Sequence, residues 1–189
     1  AMLYYDKVNE GEYTLDSTFT YSGYMHEDAG VISSDYGIGS QVPLSDLLND
    51  LIIYSDNDAG HILYENLGGW KEYKEAMTKY TDSISENYYT MDNVTTANTM
   101  NDVVTYLYDH KEDYKGLIKN MEKAEPGEYL DRDTQLSMPQ KYGMYDYALN
   151  SVGFVECNTS YSIVVLTSLG DKGADVMANI NRIAYEHFK

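Results

Sequence analysis

Residues able to do chemistry fall in two short stretches of this sequence. The first is Ser55-Asp56-Asn57: a hydroxyl, a carboxylate and an amide set between Leu51, Ile52 and Ile53 on one side and Ile62, Leu63 and Leu67 on the other. A polar triplet inside an apolar pattern has two readings. It punctuates two helices, with Ser and Asp capping and Asn terminating, or it presents those groups to a substrate. The second stretch is Lys141-Tyr142-Gly143, at the end of a strand-like segment and followed by Asp146 and another strand.

Other chemistries find no matching pattern. His26, His61, His110 and His187 lack the H-x-x-x-H and H-E-x-x-H spacings of zinc sites. With Gly60 set as position 6 of a calcium loop, position 12 is Asn66 instead of Glu, so that reading fails. No Walker A sequence occurs, and the glycines do not form G-x-G-x-x-G after a strand. Cys157 stands alone, which excludes an intrachain disulfide and a cysteine-based metal site. No cofactor is expected.

The elements that must position these residues follow from periodicity. Residues 2 to 10 read as the tail of a helix stopped by Gly11, and a loop-rich stretch runs from there to about residue 41. Pro43 opens a helix with Leu44, Leu47, Leu48 and Leu51 on one face. A second helix follows Asn57 and stops at Gly68-Gly69, and "GWKEYKEAMTKY" reads as a short third. Thr95 or Thr96 caps a helix carrying Met100, Val103, Val104 and Leu107, and "KGLIKNMEKA" is helical up to Pro126-Gly127. The period then changes: "SMPQKYG", "DYALNSVGFVE" and "YSIVVLTS" read as three strands, with a turn at 157–160. A last helix has Val176, Ile180, Ile183 and Ala184 on one side. Helices first, then an antiparallel meander, then one covering helix make an α+β class: a mainly helical lobe over 1–130 and a sheet with its helix over 131–189 of one domain. Three strands make a thin layer with open edges, as if further strands belonged to it.

A net charge of −18 and scattered lysines argue against nucleic acid or anionic lipid as partners. No apolar run reaches the ~20 residues of a membrane span. Twenty-one tyrosines suit a polar-tipped adhesive surface or carbohydrate contacts.

Taken in order, "EGEYTLD", "VPLSDLLNDLIIYSDNDAGHILYENLGG", "TTANTMNDVVTYLY", "PQKYGMYDYALNSVGFVE" and "YSIVVLTS" resemble class A beta-lactamase-related serine hydrolases, the penicillin-recognising family. The resemblance covers essentially the whole chain. It implies a beta-lactamase/transpeptidase-like fold and acyl-enzyme chemistry on a beta-lactam or a D-Ala-type peptidoglycan stem peptide. It implies an exported, extracellular or cell-surface protein. Carried onto matching positions, it makes Ser55 a proton relay to the leaving nitrogen and Asn57 a hydrogen-bonding partner of the substrate amide. Lys141 would hold the substrate carboxylate, Gly143 would admit the substrate backbone to the strand edge, and Tyr142 and Met144 would border the same subsite. Asp56 would buttress the turn.

Three departures bear on activity. No S-x-x-K occurs in these residues: "STFTY" and "SISEN" offer serine without the lysine, and "SLGDK" spaces it wrongly. Without that nucleophile nothing is acylated. The family's S-x-x-K and first strands are therefore expected to lie before Ala1 in a longer relative. The family's E-x-x-L-N is replaced by "SISENYYTMDNV", leaving Glu86 as a weak candidate base. Tyr142 replaces the usual Thr or Ser, removing a hydroxyl that would bind the carboxylate. The chain is expected not to turn over, and a non-catalytic peptidoglycan- or protein-binding module, or a purely structural α+β domain, stand as alternatives.

Overall fold

Apolar spacings of three and four residues build the helical part of the chain. In the computed structural model, which describes residues 1–23, 30–90 and 92–189, the helices are α1 (Met2–Asn9), α2 (Val31–Asp35), α3 (Leu44–Ile53), α4 (Asn57–Asn66), α5 (Trp70–Met77), α6 (Ala97–Asp109), α7 (Lys115–Met121) and α8 (Lys172–Phe188). Leu44, Leu47 and Leu48 of α3 are sealed in one core with Tyr4, Phe19, Ile32, Val42 and Ile62. A second core joins Val103, Val104 and Leu107 of α6 to Leu117 and Met121 of α7. Thr96 caps α6, its hydroxyl accepting the Thr99 N–H at 3.1 Å.

The stretch read as loop from 11 to 41 holds more order than its glycines suggest. Strands β1 (Thr18–Thr20) and β2 (Gln41–Pro43) pair antiparallel, with Phe19 opposite Val42, and α2 lies between them. Three-residue strands are too short to show a period of two, so only the tertiary pairing reveals them. Pro43 closes β2 and stands at the N-cap of α3.

The main sheet has β3 (Gln140–Tyr145), β4 (Ala148–Val155) and β5 (Tyr161–Thr167) in that order, all antiparallel. Strand alternation sorts its two faces. Phe154 and Val152 face the helical core, while Leu149, Val155, Ile163 and Val165 meet Met177 of α8. β3 and β5 are outer strands of this sheet.

The face α8 turns inward differs from the sequence expectation. Gly173, Met177, Ala178 and Asn181 are buried, whereas Val176, Ile180 and Ile183 are exposed. Close approach decides this. A Cβ at Gly173 would come within 2.5 Å of Thr167 Oγ1, so only glycine seats the helix there. Asn181 donates to the Leu130 carbonyl and accepts from the Tyr161 hydroxyl, both at 2.8 Å, which satisfies its burial.

One polar cluster ties the helical lobe together. The Asp6 carboxylate on α1 accepts from the Tyr114 hydroxyl at 2.5 Å and from the Tyr80 hydroxyl, and pairs with Lys79 at 2.6 Å. Burial alone would raise its pKa; the bonds from Lys79, Tyr114 and Tyr80 outweigh burial and hold it below the usual carboxylate range.

Candidate active site

The Ser55-Asp56-Asn57 stretch is the junction of α3 and α4. Tyr54 ends α3, its N–H reaching the Asp50 carbonyl at 3.2 Å, and the Asp56 N–H reaches the same carbonyl at 3.1 Å. Reversing direction this tightly places Ser55 at φ 58, the left-handed region that a non-glycine residue occupies only at a cost. Asp56 is 3% exposed. One of its oxygens accepts the Ala59 N–H at 2.8 Å and caps α4; the other accepts Val31 N–H at 2.7 Å and Ile32 N–H at 3.1 Å at the start of α2. One carboxylate therefore caps two helices. Asp56 is the punctuation, with Ser55 half-buried and Asn57 exposed on either side of it. The Asp50 carboxyl beneath is pushed up to about 6, first by burial and then by the carboxylates of Asp56, Asp46 and Asp35.

Lys141 sits on β3 opposite Val152. Its ammonium is shielded from solvent, forms no hydrogen bond, and lies 4.3 Å from the centroid of the Tyr142 ring. The Tyr142 ring in turn stacks on Tyr129, at 4.7 Å and 22°. Burial lowers the Lys141 pKa to about 8, and Glu125 offsets this in part. A cation–π contact supplies roughly 1–2 kcal/mol when desolvated, less than the hydration the ammonium gives up. Gly143 lies on the outer strand with no protein atom within 4 Å of where a Cβ would stand, and Met144 beyond it is 62% exposed.

Glu86 is exposed at the start of a 3-10 turn over Glu86–Tyr89. The segment carrying it is anchored by Lys74 of α5, a lysine only 5% exposed, whose ammonium donates to the Asp92 carbonyl at 2.6 Å and to the Thr90 carbonyl. Sequence reasoning missed Lys74, because its burial depends on carbonyls 16 and 18 residues away. The other end is held by the Thr81 hydroxyl on Asp102 at 2.8 Å and by Thr99 on the Ser83 carbonyl.

Tyr142 and Lys141 are in contact, and Ser55 and Asn57 flank one cap; no hydrogen bond joins Ser55 to Lys141, since the ammonium makes none. Two cavities lie elsewhere. One of about 280 Å³ is floored by Met138, Phe154 and Val155, and one of about 460 Å³ lies between Thr20, Ser22, His61 and Glu65. Among the described residues no three His, Cys, Asp or Glu side chains are grouped to hold a metal ion. His26 lies outside the described residues.

A family model described as the beta-lactamase enzyme family matches residues 1–188. A PBP-A variant, solved as an acyl-enzyme complex with penicillin G, superimposes with a TM-score of 0.81 at 16% identity, over 98% of this chain and 76% of its own. A beta-lactamase from Chitinophaga pinensis DSM 2588 gives 0.77 at 20% identity, over 98% and 81%. An ancestral class A beta-lactamase gives 0.79 at 20% identity, over 97% and 80%. At these identities the likeness is one of fold. No curated protein matches the sequence.

Proposed function

The chain belongs to the beta-lactamase enzyme family, and from that premise we propose that it forms the bulk of a serine-hydrolase-type domain that binds a beta-lactam or the D-Ala end of a peptidoglycan stem peptide without acylating it. The observation that carries this reading is Lys141. A buried ammonium with no hydrogen bond is costly unless an anion completes it, and both ligands present a carboxylate. Gly143, on an outer strand and open on its Cβ side, leaves room for a ligand backbone to add alongside β3. Ser55 supplies a hydroxyl and Asn57 an amide to the ligand's amide group. Tyr142, Met144 and Lys141 border the carboxylate end.

Turnover needs a nucleophile, and none of the 189 residues supplies S-x-x-K. Glu86 is at most a weak base. An extracellular or cell-surface setting follows from the ligand; no helix among the described residues is long and apolar enough to cross a membrane.

Calorimetric titration of penicillin G, and of a D-Ala-D-Ala-terminated peptide, tests the reading. Saturable binding is expected for the chain, with affinity reduced about tenfold or more in Lys141→Met. Equal affinity in that variant, or nitrocefin turnover above buffer that Ser55→Ala abolishes, would overturn it.

A further inference from the structure

Strand β3 leaves Lys141 and ends, four residues on, in an aromatic tip. Tyr145 pairs with Ala148 across the two-residue turn Asp146-Tyr147. Asp146 takes φ 52, the positive value a tight hairpin needs at its first turn position. Tyr145 is 86% exposed and Tyr147 71%. The backbone of the tip is nonetheless held, because the Tyr147 carbonyl accepts the Gly170 N–H at 2.8 Å from the loop before α8. Asp146, between the two tyrosines in sequence, is exposed, and none of the ion pairs among the described residues engages it.

These rings do nothing for the core, and each holds apolar area in water. Tyrosine rings on a held backbone are amphipathic contact surface with only two side-chain torsions to order on binding. A carboxylate next to them in sequence accepts hydrogen bonds from neighbouring hydroxyls. A bilayer is a poor occupant, because Asp146 at the apex would have to leave water. A polyanion is poorer, against a net charge of −18. A neutral ring with C–H faces and an edge of hydroxyls satisfies every group present.

We propose that Tyr145, Asp146 and Tyr147 form a saccharide subsite for the β-1,4-linked N-acetylated hexosamines of a glycan strand. The inference rests on the stem-peptide reading above and extends it. Four residues of strand place the tip about 13 Å from Lys141. An extended peptide of about four residues lying along the free edge of β3 therefore reaches from a carboxylate at Lys141 to a sugar at the tip. The ligand would be glycan-linked peptide, and a free antibiotic would use only the Lys141 end.

The test titrates soluble N-acetylglucosamine hexamer, which carries no peptide, into the chain, the double variant Tyr145→Ala/Tyr147→Ala, and Lys141→Met. The sugar should bind the chain and Lys141→Met alike, and lose about tenfold or more in the double variant. Both tyrosines are exposed, so the double variant should keep its circular dichroism and melting temperature. No binding to the chain at millimolar sugar, or equal binding in the double variant, overturns the subsite. Titrating the same proteins with D-Ala-D-Ala peptide separates the two ideas. Peptide binding without sugar binding sinks only the subsite; sugar binding without peptide binding sinks the stem-peptide reading and leaves the tip a saccharide site. Retention on phosphatidylcholine vesicles that the double variant abolishes would reassign the tip to lipid and overturn the proposal.

Discussion

Lys141→Met should melt higher than the unaltered chain at pH 7, by roughly 2–12 °C. The reasoning is a linkage argument. The folded-state pKa of Lys141 is about 8, below the ~10.4 of an unfolded lysine. Between those values the unfolded chain binds a proton that the folded chain does not, so stability rises with pH across that window. Below pH 8 the full cost of burying the ammonium is present. That cost is about 1–3 kcal/mol, discounted because the side chain is only partly sealed. Methionine matches the apolar stem, removes the charge and keeps contact with the Tyr142 ring. The gain should therefore be largest below pH 8 and fade towards pH 10.5. At about 2–4 °C per kcal/mol for a chain of this size, the shift is readily measured. Urea unfolding of both proteins at pH 7 and pH 10 checks it; a variant less stable at pH 7 would mean that the ammonium is already satisfied in the folded protein. Ligand affinity should move oppositely. It depends on charged Lys141, so it should decline above pH 8 in the chain and be weak at every pH in the variant.

Asp56→Ala should lower stability by about 3–5 kcal/mol. Removing this carboxylate strands the N–H groups of Val31, Ile32 and Ala59 together. A total stability of roughly 5–15 kcal/mol makes that a large fraction. Asp56→Asn keeps one acceptor oxygen and gives up the charge, so it should fall between the two. Amide hydrogen exchange reads the mechanism directly. Protection should drop at all three amides in Asp56→Ala; loss confined to Ala59 would show that α2 does not depend on this cap. Because the two helices share one carboxylate, damage to α2 and to the Ser55 turn should appear at the same denaturant concentration.

Much of this was legible in the residues, and the exceptions have a common cause. Helices α3, α4 and α6 and strands β3 to β5 announce themselves by local periodicity, while order along the chain singles out Ser55-Asp56-Asn57 with Lys141-Tyr142-Gly143 as the proposed site. The shared cap was only half legible. Asp56 reads as an N-cap for the residues after it, but its second client lies 25 residues upstream. Lys74 and the inward face of α8 failed for the same reason. Val176, Ile180 and Ile183 carry the stronger hydrophobic signal, yet contact distance at Gly173 and two hydrogen bonds at Asn181 decide which face turns in. Pattern reports which residues gain from burial, not which surface of a helix fits against the side chains of the strands beneath it.

The left-handed backbone at Ser55 governs how its chemistry can be isolated. At φ 58 alanine bears the same Cβ penalty that serine already bears and gives up only the hydroxyl, so a defect in Ser55→Ala reports the lost oxygen. Glycine occupies that conformation freely and removes the same oxygen. Ser55→Ala is therefore the cleaner knockout of the oxygen, and Ser55→Gly, which also relaxes the turn, reads the backbone strain when the two variants are compared.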